Sequence, residues 1–288
     1  MTNLEKAHEL NRILMRKLDS ICKEYGITYY YDSGALLGAV RHQDFIPWDD
    51  DIDIAFTREN YNKLLAVPKS AWGDDFELVL AKDLIPDSFF DFPTRLVYLG
   101  DSVPLQSYAK VENHVSEKYR DRIVLDCFIL DNAYDSKFKQ LLLRLRLTMI
   151  YGQCMGHRDS IDYSEYGTLQ KIVIGMLVAI GKHKSLNKLR DKYERVSMSV
   201  KGDTNHYYYS NYPMPDLKAW CDKEWYNGTV DLRVGEDYFS CPKGYKEILT
   251  MVYGINALQM ELAGAGVGMG VRGLIYKKKA AALHSAAA

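Results

Sequence analysis

Residues 30–54 read YYDSGALLGAVRHQDFIPWDDDIDI, and this stretch decides the fold. It ends with four aspartates within five residues, at Asp49, Asp50, Asp51 and Asp53. From Asp51 onward charged and apolar residues alternate with the period of two that is typical of a β-strand. Asp51 and Asp53 are therefore predicted to point to one face, which Asp49 continues two residues earlier.

Carboxylates this close raise one another's pKa unless a cation neutralises them. Aligned carboxylate oxygens are the ligands that Mg2+ takes in proteins, with phosphate oxygens of a substrate completing its coordination. A solvated acidic loop is the alternative, but such a loop needs neither Pro47-Trp48 before it nor Ile52 and Ile54 interleaved with it. The pattern therefore predicts a site for Mg2+ or Mn2+.

The segment before the acidic run predicts a strand, residues 27–31, that breaks into a helix at Gly34. A glycine-containing helix start can bring backbone N–H groups against a phosphate. The backbone around Ser33, Gly34 and Ala35 is thus a candidate phosphate-binding element at the carboxyl ends of the strands. Arg41 is a further substrate-binding candidate because its planar fork suits a phosphate; a structural ion pair with one of the aspartates is the alternative.

A second acidic position lies inside an apolar strand. Residues 123–131 read IVLDCFILD, and burying a lone Asp126 in so apolar a strand costs free energy. That cost is explained if Asp126 is a further metal carboxylate or the general base. A structural role, in which the carboxylate caps the end of the strand, explains Asp131 better than Asp126.

The string GALLGAVRHQDFIPWDDDIDIAFTREN, residues 34–60, resembles the LicD family, phosphotransferases of the nucleotidyltransferase fold that include the fukutin-related enzymes. Residues 124–131, VLDCFILD, resemble the second acidic strand of that family. Fainter similarity runs over residues 4–131 and returns at 241–254.

The resemblance also covers two arginines that are candidates for substrate binding. Arg58 would have the simple role of neutralising the carboxylate cluster. Arg95 stands where LicD-like sequences carry a basic residue, which makes it a second candidate for phosphate binding.

The resemblance implies transfer of a phospho-alcohol such as phosphocholine. The donor would be a CDP-alcohol, and the acceptor a sugar hydroxyl of a cell-surface glycan, such as lipopolysaccharide or teichoic acid, or of its lipid-linked precursor. Asp51, Asp53 and Asp126 would be catalytic, and Asp49 would join them as a metal ligand. The residues alone lead only to divalent-metal phosphoryl-type transfer.

Other functions use the same residues. A nucleotidyltransferase would move NMP from an NTP and release pyrophosphate, and a glycosyltransferase could use an Asp-x-Asp metal site. A non-catalytic metal- or nucleotide-binding relative is the alternative from a different class.

The expected fold is α/β (α+β), a nucleotidyltransferase-like mixed sheet with flanking helices and a mostly helical C-terminal extension. Residues 1–135 would form the catalytic core and residues 136–262 a mostly helical, aromatic-rich extension packing on it. The glycine- and alanine-rich residues 263–288 are expected to be a flexible tail. The aromatic residues of 205–240 are compatible with a cage for a quaternary ammonium and with ordinary core packing.

The apolar segment 169–180 is too short to span a bilayer, which needs about 20 residues. It predicts a buried helix, and an interfacial helix making peripheral membrane contact is the alternative.

The charge of the 288 residues sums to −1, which argues against a general binder of nucleic acid or anionic membranes. Its distribution is uneven: residues 44–91 contain 12 acidic and 4 basic residues, and residues 137–201 contain 13 basic and 5 acidic residues. A basic half facing a metal-binding acidic half would suit a phosphate-rich donor; two solvated faces of opposite sign are the alternative.

The five cysteines are widely spaced and lack a CxxC motif, so free thiols in a reducing compartment are expected. The N-terminal residues are charged throughout, without the apolar stretch of a secretory signal. These features predict a cytoplasmic protein, with membrane association at the inner face as an open alternative.

Overall fold

The computed structural model describes residues 2–103, 114–164, 166–212 and 220–258, so the predicted tail, residues 263–288, lies outside the described residues. The helices are α1 (Asn3–Tyr25), α2 (Ser33–His42), α3 (Arg58–Leu65), α4 (Lys69–Trp72), α5 (Ala81–Leu84), α6 (Lys137–Cys154), α7 (Thr168–Lys182), α8 (Leu186–Ser197) and α9 (Tyr245–Tyr253). The strands are β1 (Tyr30–Asp32), β2 (Ile52–Thr57), β3 (Phe76–Val79), β4 (Thr94–Tyr98), β5 (Val124–Ala133), β6 (His206–Tyr209), β7 (Trp220–Asp222), β8 (Thr229–Val234) and β9 (Asp237–Pro242). Short 3-10 helices lie at Glu117–Tyr119, Met155–His157, Lys223–Tyr226 and Ile255–Leu258.

Seven strands of the described chain form one mixed sheet. Its main order is β1-β2-β5-β4-β3, and β6 pairs with β5 and β7. Strands β2 and β5 are parallel, whereas the other pairs of this sheet are antiparallel. Strands β8 and β9 form a separate antiparallel hairpin. The predicted α/β class, a mixed sheet with flanking helices, is confirmed.

The long strand β5 organises the sheet because it has three partners. Its first half pairs with β4 and its second half with β6, while β2 runs along its other edge. Strands from beyond residue 136 therefore extend the same sheet that carries the acidic residues.

Helix α1 is amphipathic and capped at both ends. Thr2 and Glu5 make a capping box at its start, and Gly26 ends it with the left-handed φ of 63° that glycine tolerates. The helix packs on β4 and β5. Its buried apolar side chains recur at steps of three and four residues: Ala7, Leu10, Leu14, Leu18 and Ile21.

Core packing accounts for much of the aromatic-rich segment. Tyr208, Tyr209, Tyr226 and Phe239 are buried, whereas Tyr238 is 62% exposed. Burial of these rings contributes to the cores on both sides of β6. The five cysteines are buried and free, as expected.

The prediction that residues 169–180 form a buried helix is wrong. Within α7 only Val178 and Gly181 are buried, and Leu169 is 75% exposed. The reason is that α7 packs on the end of α6 through its C-terminal half: a Cβ at Gly181 would lie 1.9 Å from the carbonyl oxygen of Gln153. In the described part of the chain, no helix is both long enough and apolar enough to cross a bilayer.

Candidate active site

Four charged residues lie side by side across four strands. Asp32 of β1 pairs with Asp53 of β2, Asp53 pairs with Asp126 of β5, and Asp126 pairs with Arg95 of β4. Directly paired residues project to the same face of a sheet, with Cβ atoms about 5 Å apart. Three carboxylates and one guanidinium thus form a continuous line, called the charged row below.

The charged row corrects the predicted position of the site. The prediction put it at the carboxyl ends of the strands. Because β1 is antiparallel to β2, the row lies at the carboxyl end of β1 but at the amino ends of β2 and β5. The predicted position at a carboxyl end is therefore correct for β1 alone among these three strands.

The acidic loop, residues 49–51, adjoins this row. Carboxylate oxygens of Asp49, Asp50 and Asp51 all lie within 4.8 Å of one another. Asp49 is buried and Asp51 is exposed. The sequence predicts one metal site of Asp49, Asp51, Asp53 and Asp126. The structure brings Asp49 and Asp51 together with Asp50 and pairs Asp53 with Asp126 in the sheet. The charge of Asp51 also acts on Asp126, whose pKa it raises.

Helix α1 holds the backbone of the acidic loop. His8 Nε2 lies 2.6 Å from the carbonyl oxygen of Asp49, and Asn11 Nδ2 donates to the carbonyl oxygen of Asp50 at 3.0 Å. Asn11 is fully buried. Sequence reasoning missed both positioning residues, although polar side chains beside the buried face of an amphipathic helix were a usable signal.

Helix α2 approaches the same loop closely. A Cβ at Gly38 would lie 2.7 Å from the carbonyl oxygen of Asp44 and 2.9 Å from the backbone nitrogen of Ile46. Only glycine permits this approach. Gly38 therefore fixes the path of residues 44–46, which connect α2 to the acidic loop.

Asp126 is held by a buried arginine. Arg95 is 1% exposed, and its Nε lies 2.7 Å from Asp126 Oδ1. Its Nη1 and Nη2 donate to the two carboxylate oxygens of Asp91, at 3.0 and 2.5 Å. Sequence reasoning missed Asp91. Because this guanidinium is enclosed, Arg95 positions Asp126 instead of facing a substrate phosphate, which corrects the predicted role of Arg95.

Burial sets the proton affinity of Asp126. It raises the pKa of this carboxyl to about 6; the Arg95 guanidinium opposes that shift, and the charges of Asp91 and Asp51 add to it. The side chain is nevertheless 24% exposed, so it remains within reach of another molecule. A carboxylate with a pKa near the working pH is suited to accept a proton in a reaction.

Asp32 joins the start of α2 to the aromatic segment. It is buried, and its Oδ1 accepts hydrogen bonds from the backbone N–H of Ser33 at 2.7 Å and from the Tyr209 hydroxyl at 3.0 Å. The Tyr209 and Tyr226 hydroxyls are 2.9 Å apart. Sequence reasoning missed Asp32, whose signal was an aspartate at an N-cap position before Ser33.

The predicted phosphate-binding element, Ser33, Gly34 and Ala35, is the first turn of α2. All three residues are buried beside the charged row. Ser33 has a φ of 53°, which is strained for a residue other than glycine. Such strain persists where surrounding structure enforces it, often at functional sites.

Arg58 lies away from the charged row. Arg58 Nη2 lies 2.5 Å from Asp131 Oδ2, and Arg58 also pairs with Glu194 of α8. Asp131 is about 16 Å along β5 from Asp126, so Arg58 does not neutralise the carboxylate cluster as predicted. Arg41 lies in the last turn of α2, about 12 Å along the helix from Ser33.

Comparison with known proteins matches this region to a described family. The model "LicD/FKTN/FKRP, nucleotidyltransferase domain" matches residues 26–91, which contain β1, α2, the acidic loop and β2. The lipopolysaccharide cholinephosphotransferase LicD of Haemophilus influenzae is 22% identical over 246 residues, covering 82% of this chain and 84% of that protein.

Shorter matches cover smaller shares of this chain and of the relatives. An uncharacterised protein of Rickettsia typhi is 30% identical over 115 residues, covering 33% of this chain and 37% of that protein. The human ribitol 5-phosphate transferase FKRP is 40% identical over 45 residues, which are 16% of this chain and 9% of that protein.

Proposed function

We propose that the chain is a LicD-family transferase of phosphate-containing groups and that it transfers a phospho-alcohol from a CDP-linked donor to a sugar hydroxyl. The acceptor is a cell-surface glycan or its lipid-linked precursor. The observation that carries the proposal is the charged row, with Asp32, Asp53 and Asp126 in register beside the acidic loop. Two relatives support the group transferred, since their names specify cholinephosphate and ribitol 5-phosphate.

The donor atoms fit a hard divalent cation. Oxygens of Asp49, Asp50 and Asp51 lie within 4.8 Å of one another, and Asp53 and Asp126 adjoin them. Carboxylate oxygens are the ligands that Mg2+ and Mn2+ prefer. When bound, the ion supplies positive charge against the donor diphosphate.

The chain's own residues provide the remaining functions. Asp126 accepts the proton of the sugar hydroxyl as that oxygen forms its bond to the donor phosphorus and CMP departs. Arg95 keeps the Asp126 carboxylate in place through the 2.7 Å contact. Asp32 and Tyr209 fix the first turn of α2, whose backbone faces the donor phosphates in this proposal.

Nucleotidyl transfer is the second candidate, because the matching family model is described as a nucleotidyltransferase domain. The same carboxylates would serve an attack on the α-phosphate of an NTP. The two reactions differ in their products, CMP in the first and pyrophosphate in the second.

Phosphorus NMR of the purified chain distinguishes these reactions. We expect CMP release from one member of a panel of CDP-alcohols, given glycan acceptor and Mg2+, and loss of that release with chelator or in Asp53→Asn. Asp74→Asn, at an exposed aspartate without an ion pair in the described chain, is the matched control. Pyrophosphate release from an NTP, with every CDP-alcohol unchanged, would contradict the proposal and favour nucleotidyl transfer.

A further inference from the structure

We propose that helices α6 and α7 form a docking surface for an anionic lipid bilayer, with α7 lying in the plane of the membrane interface. This surface lies outside the charged row and the acidic loop. Both helices expose apolar side chains, and neither contains an acidic residue. Binding to a bilayer can be measured independently of catalysis.

Helix α7 exposes a continuous apolar face. Its large exposed side chains are Leu169 (75%), Ile172 (56%), Val173 (43%), Met176 (55%) and Ile180 (47%). At 100° per residue these five positions fall within about 100° of the helix circumference. An apolar face of this size is rarely left in water without a binding role.

Helix α6 carries a second stripe of the same kind. Phe138 is 68% exposed, Leu142 50%, Leu145 49% and Met149 49%. Their spacing of four, three and four residues puts them on one line along the helix, opposite the buried side chains Leu143 and Leu147.

The two stripes belong to one helical pair. A Cβ at Gly152 of α6 would lie 2.7 Å from Leu177 Cδ1, and a Cβ at Gly156 would lie 2.6 Å from the carbonyl oxygen of Val178. His157 Nε2 also lies 3.1 Å from the carbonyl oxygen of Gly181. These close glycine contacts hold α7 against the end of α6 while leaving its outer face uncovered in the described structure.

The charges on these helices match an anionic surface. Neither helix contains an acidic residue. Lys139 and Arg146 of α6 are exposed and lie within about 90° of the apolar line of that helix. Neither makes an ion pair with another described residue. Lys171 and Lys182 are also exposed but lie on the side of α7 away from its apolar face. Basic side chains flanking an apolar face are characteristic of interfacial helices, since they attract anionic headgroups while the apolar side chains enter the acyl boundary. The overall charge of −1 conceals this local excess.

The length of α7 and the basic residues of the helical pair favour a membrane surface over a second copy of the chain as the partner of this face. Helix α7 has 15 residues, or about 22 Å, which is shorter than the bilayer core and consistent with lying in its plane. A symmetric pairing of two copies through this face would bring the unpaired basic residues of both copies together, which is unfavourable.

Vesicle co-sedimentation of the full chain tests the proposal. We expect the chain to sediment with vesicles of equal parts phosphatidylcholine and phosphatidylglycerol at low salt, and to remain in solution with phosphatidylcholine alone. High salt should weaken the binding because the headgroup attraction is screened.

Two double variants separate the apolar and the charged contributions. Ile172→Gln with Met176→Gln should weaken binding more than about tenfold through lost apolar burial. Lys139→Gln with Arg146→Gln should weaken it about tenfold or more, since each basic side chain contributes about fivefold near an anionic surface. Because all four residues are exposed, we expect the circular dichroism and unfolding midpoint of both variants to match those of the parent.

Matched controls are Leu65→Gln, at a 44% exposed leucine of α3, and Lys82→Gln, at an exposed lysine of α5. The proposal is overturned if these controls lose as much binding as the α6 and α7 variants, or if the parent chain does not bind the anionic vesicles. It is also overturned if analytical ultracentrifugation shows a dimer that the Ile172→Gln, Met176→Gln variant dissociates, which would assign the surface to self-association.

Discussion

The Nε atom of Arg95 lies 2.7 Å from Oδ1 of Asp126, and this contact joins the antiparallel strands β4 and β5 at one end of the charged row. Arg95 is almost completely buried between Asp126 and Asp91. A buried guanidinium with two carboxylate partners fixes the Asp126 side chain, because moving it would leave a charge without compensation in a poorly solvated place.

Replacement of Arg95 by Met should therefore damage both stability and catalysis. We expect the free energy of unfolding to fall by about 3 kcal/mol and kcat of the folded fraction to fall at least about tenfold, because Asp126 loses its orienting partner. Urea unfolding and steady-state kinetics measure the two effects. Arg58→Met is the matched control, since it breaks the ion pair with Asp131 outside the site. Equal kcat values for the two variants would contradict the positioning role.

Stability without added metal should depend on the proton of Asp126. Its pKa is raised from 3.8 to about 6, so between these values the folded state binds more protons than the unfolded state. The contribution of Asp126 to stability is then lost as pH rises through about 6. The shift corresponds to at most about 3 kcal/mol.

Urea unfolding in chelator, at several pH values, measures this effect. Asp126→Asn should gain stability relative to the parent between pH 4 and pH 7, by about 1–3 kcal/mol. Asp74→Asn provides the control at an exposed position. A constant difference between Asp126→Asn and the parent across this range would refute the raised pKa.

Added Mg2+ should stabilise the folded chain. Binding at one hundred times Kd adds about 2.7 kcal/mol to the free energy of unfolding. The stabilisation should be larger at pH 8 than at pH 5, where a protonated Asp126 competes with the ion. Differential scanning calorimetry with and without chelator measures it. Asp51→Asn and Asp53→Asn should each reduce the Tm increase, and an undiminished increase in both would exclude these ligands.

Asn11 should matter for metal binding although it lies on α1. Its side chain donates to the Asp50 carbonyl oxygen at 3.0 Å from a fully buried position. Asn11→Leu should cost about 1–3 kcal/mol of stability and weaken Mg2+ binding several-fold, because the acidic loop loses an anchor. Isothermal titration calorimetry gives the affinity. Gln140→Leu removes another buried amide that bonds to backbone, at Tyr134, and should destabilise the fold without changing Mg2+ affinity.

Tyr209 should support the start of α2. Tyr209→Phe removes the hydroxyl that donates to Asp32, which should cost about 1 kcal/mol of stability and also lower kcat. Tyr208→Phe is the matched control, because its equally buried hydroxyl donates to the Ser197 carbonyl oxygen away from the site. We expect a similar loss of stability for both variants, and a reduced kcat for Tyr209→Phe alone. Unchanged kcat in both would contradict a role for Tyr209 in the site.

Local sequence patterns predicted much of this architecture, because strands and helices depend mainly on residues that are close together in the chain. The alternation from Asp51 to Ile54 predicted β2 and the common face of its carboxylates, since strand side chains alternate with a period of two. The three- and four-residue spacing of apolar side chains in α1 is likewise a local pattern, and Gly26 ends this helix through its own backbone freedom. These features depend on neighbours within a few residues.

Roles that depend on distant partners were predicted poorly. Arg58 was predicted to neutralise the carboxylate cluster, but it pairs with Asp131 farther along β5. Arg95 was predicted to bind a substrate phosphate, but it is buried against Asp126. Asp32 was overlooked because its importance comes from pairing with Asp53 and from the Tyr209 hydroxyl, which belongs to a strand far along the chain. The exposed face of α7 was likewise predicted to be buried, because hydrophobicity does not reveal which apolar helices find a partner.

The sequence by itself therefore determined the acidic strand, the helix before it and the resemblance to the LicD family, because each rests on residues close together in the chain. Only the tertiary structure decided that Asp32, Asp53, Asp126 and Arg95 stand in one row. That row follows from the register of four strands, which is set by burial and hydrogen bonding between segments distant in sequence.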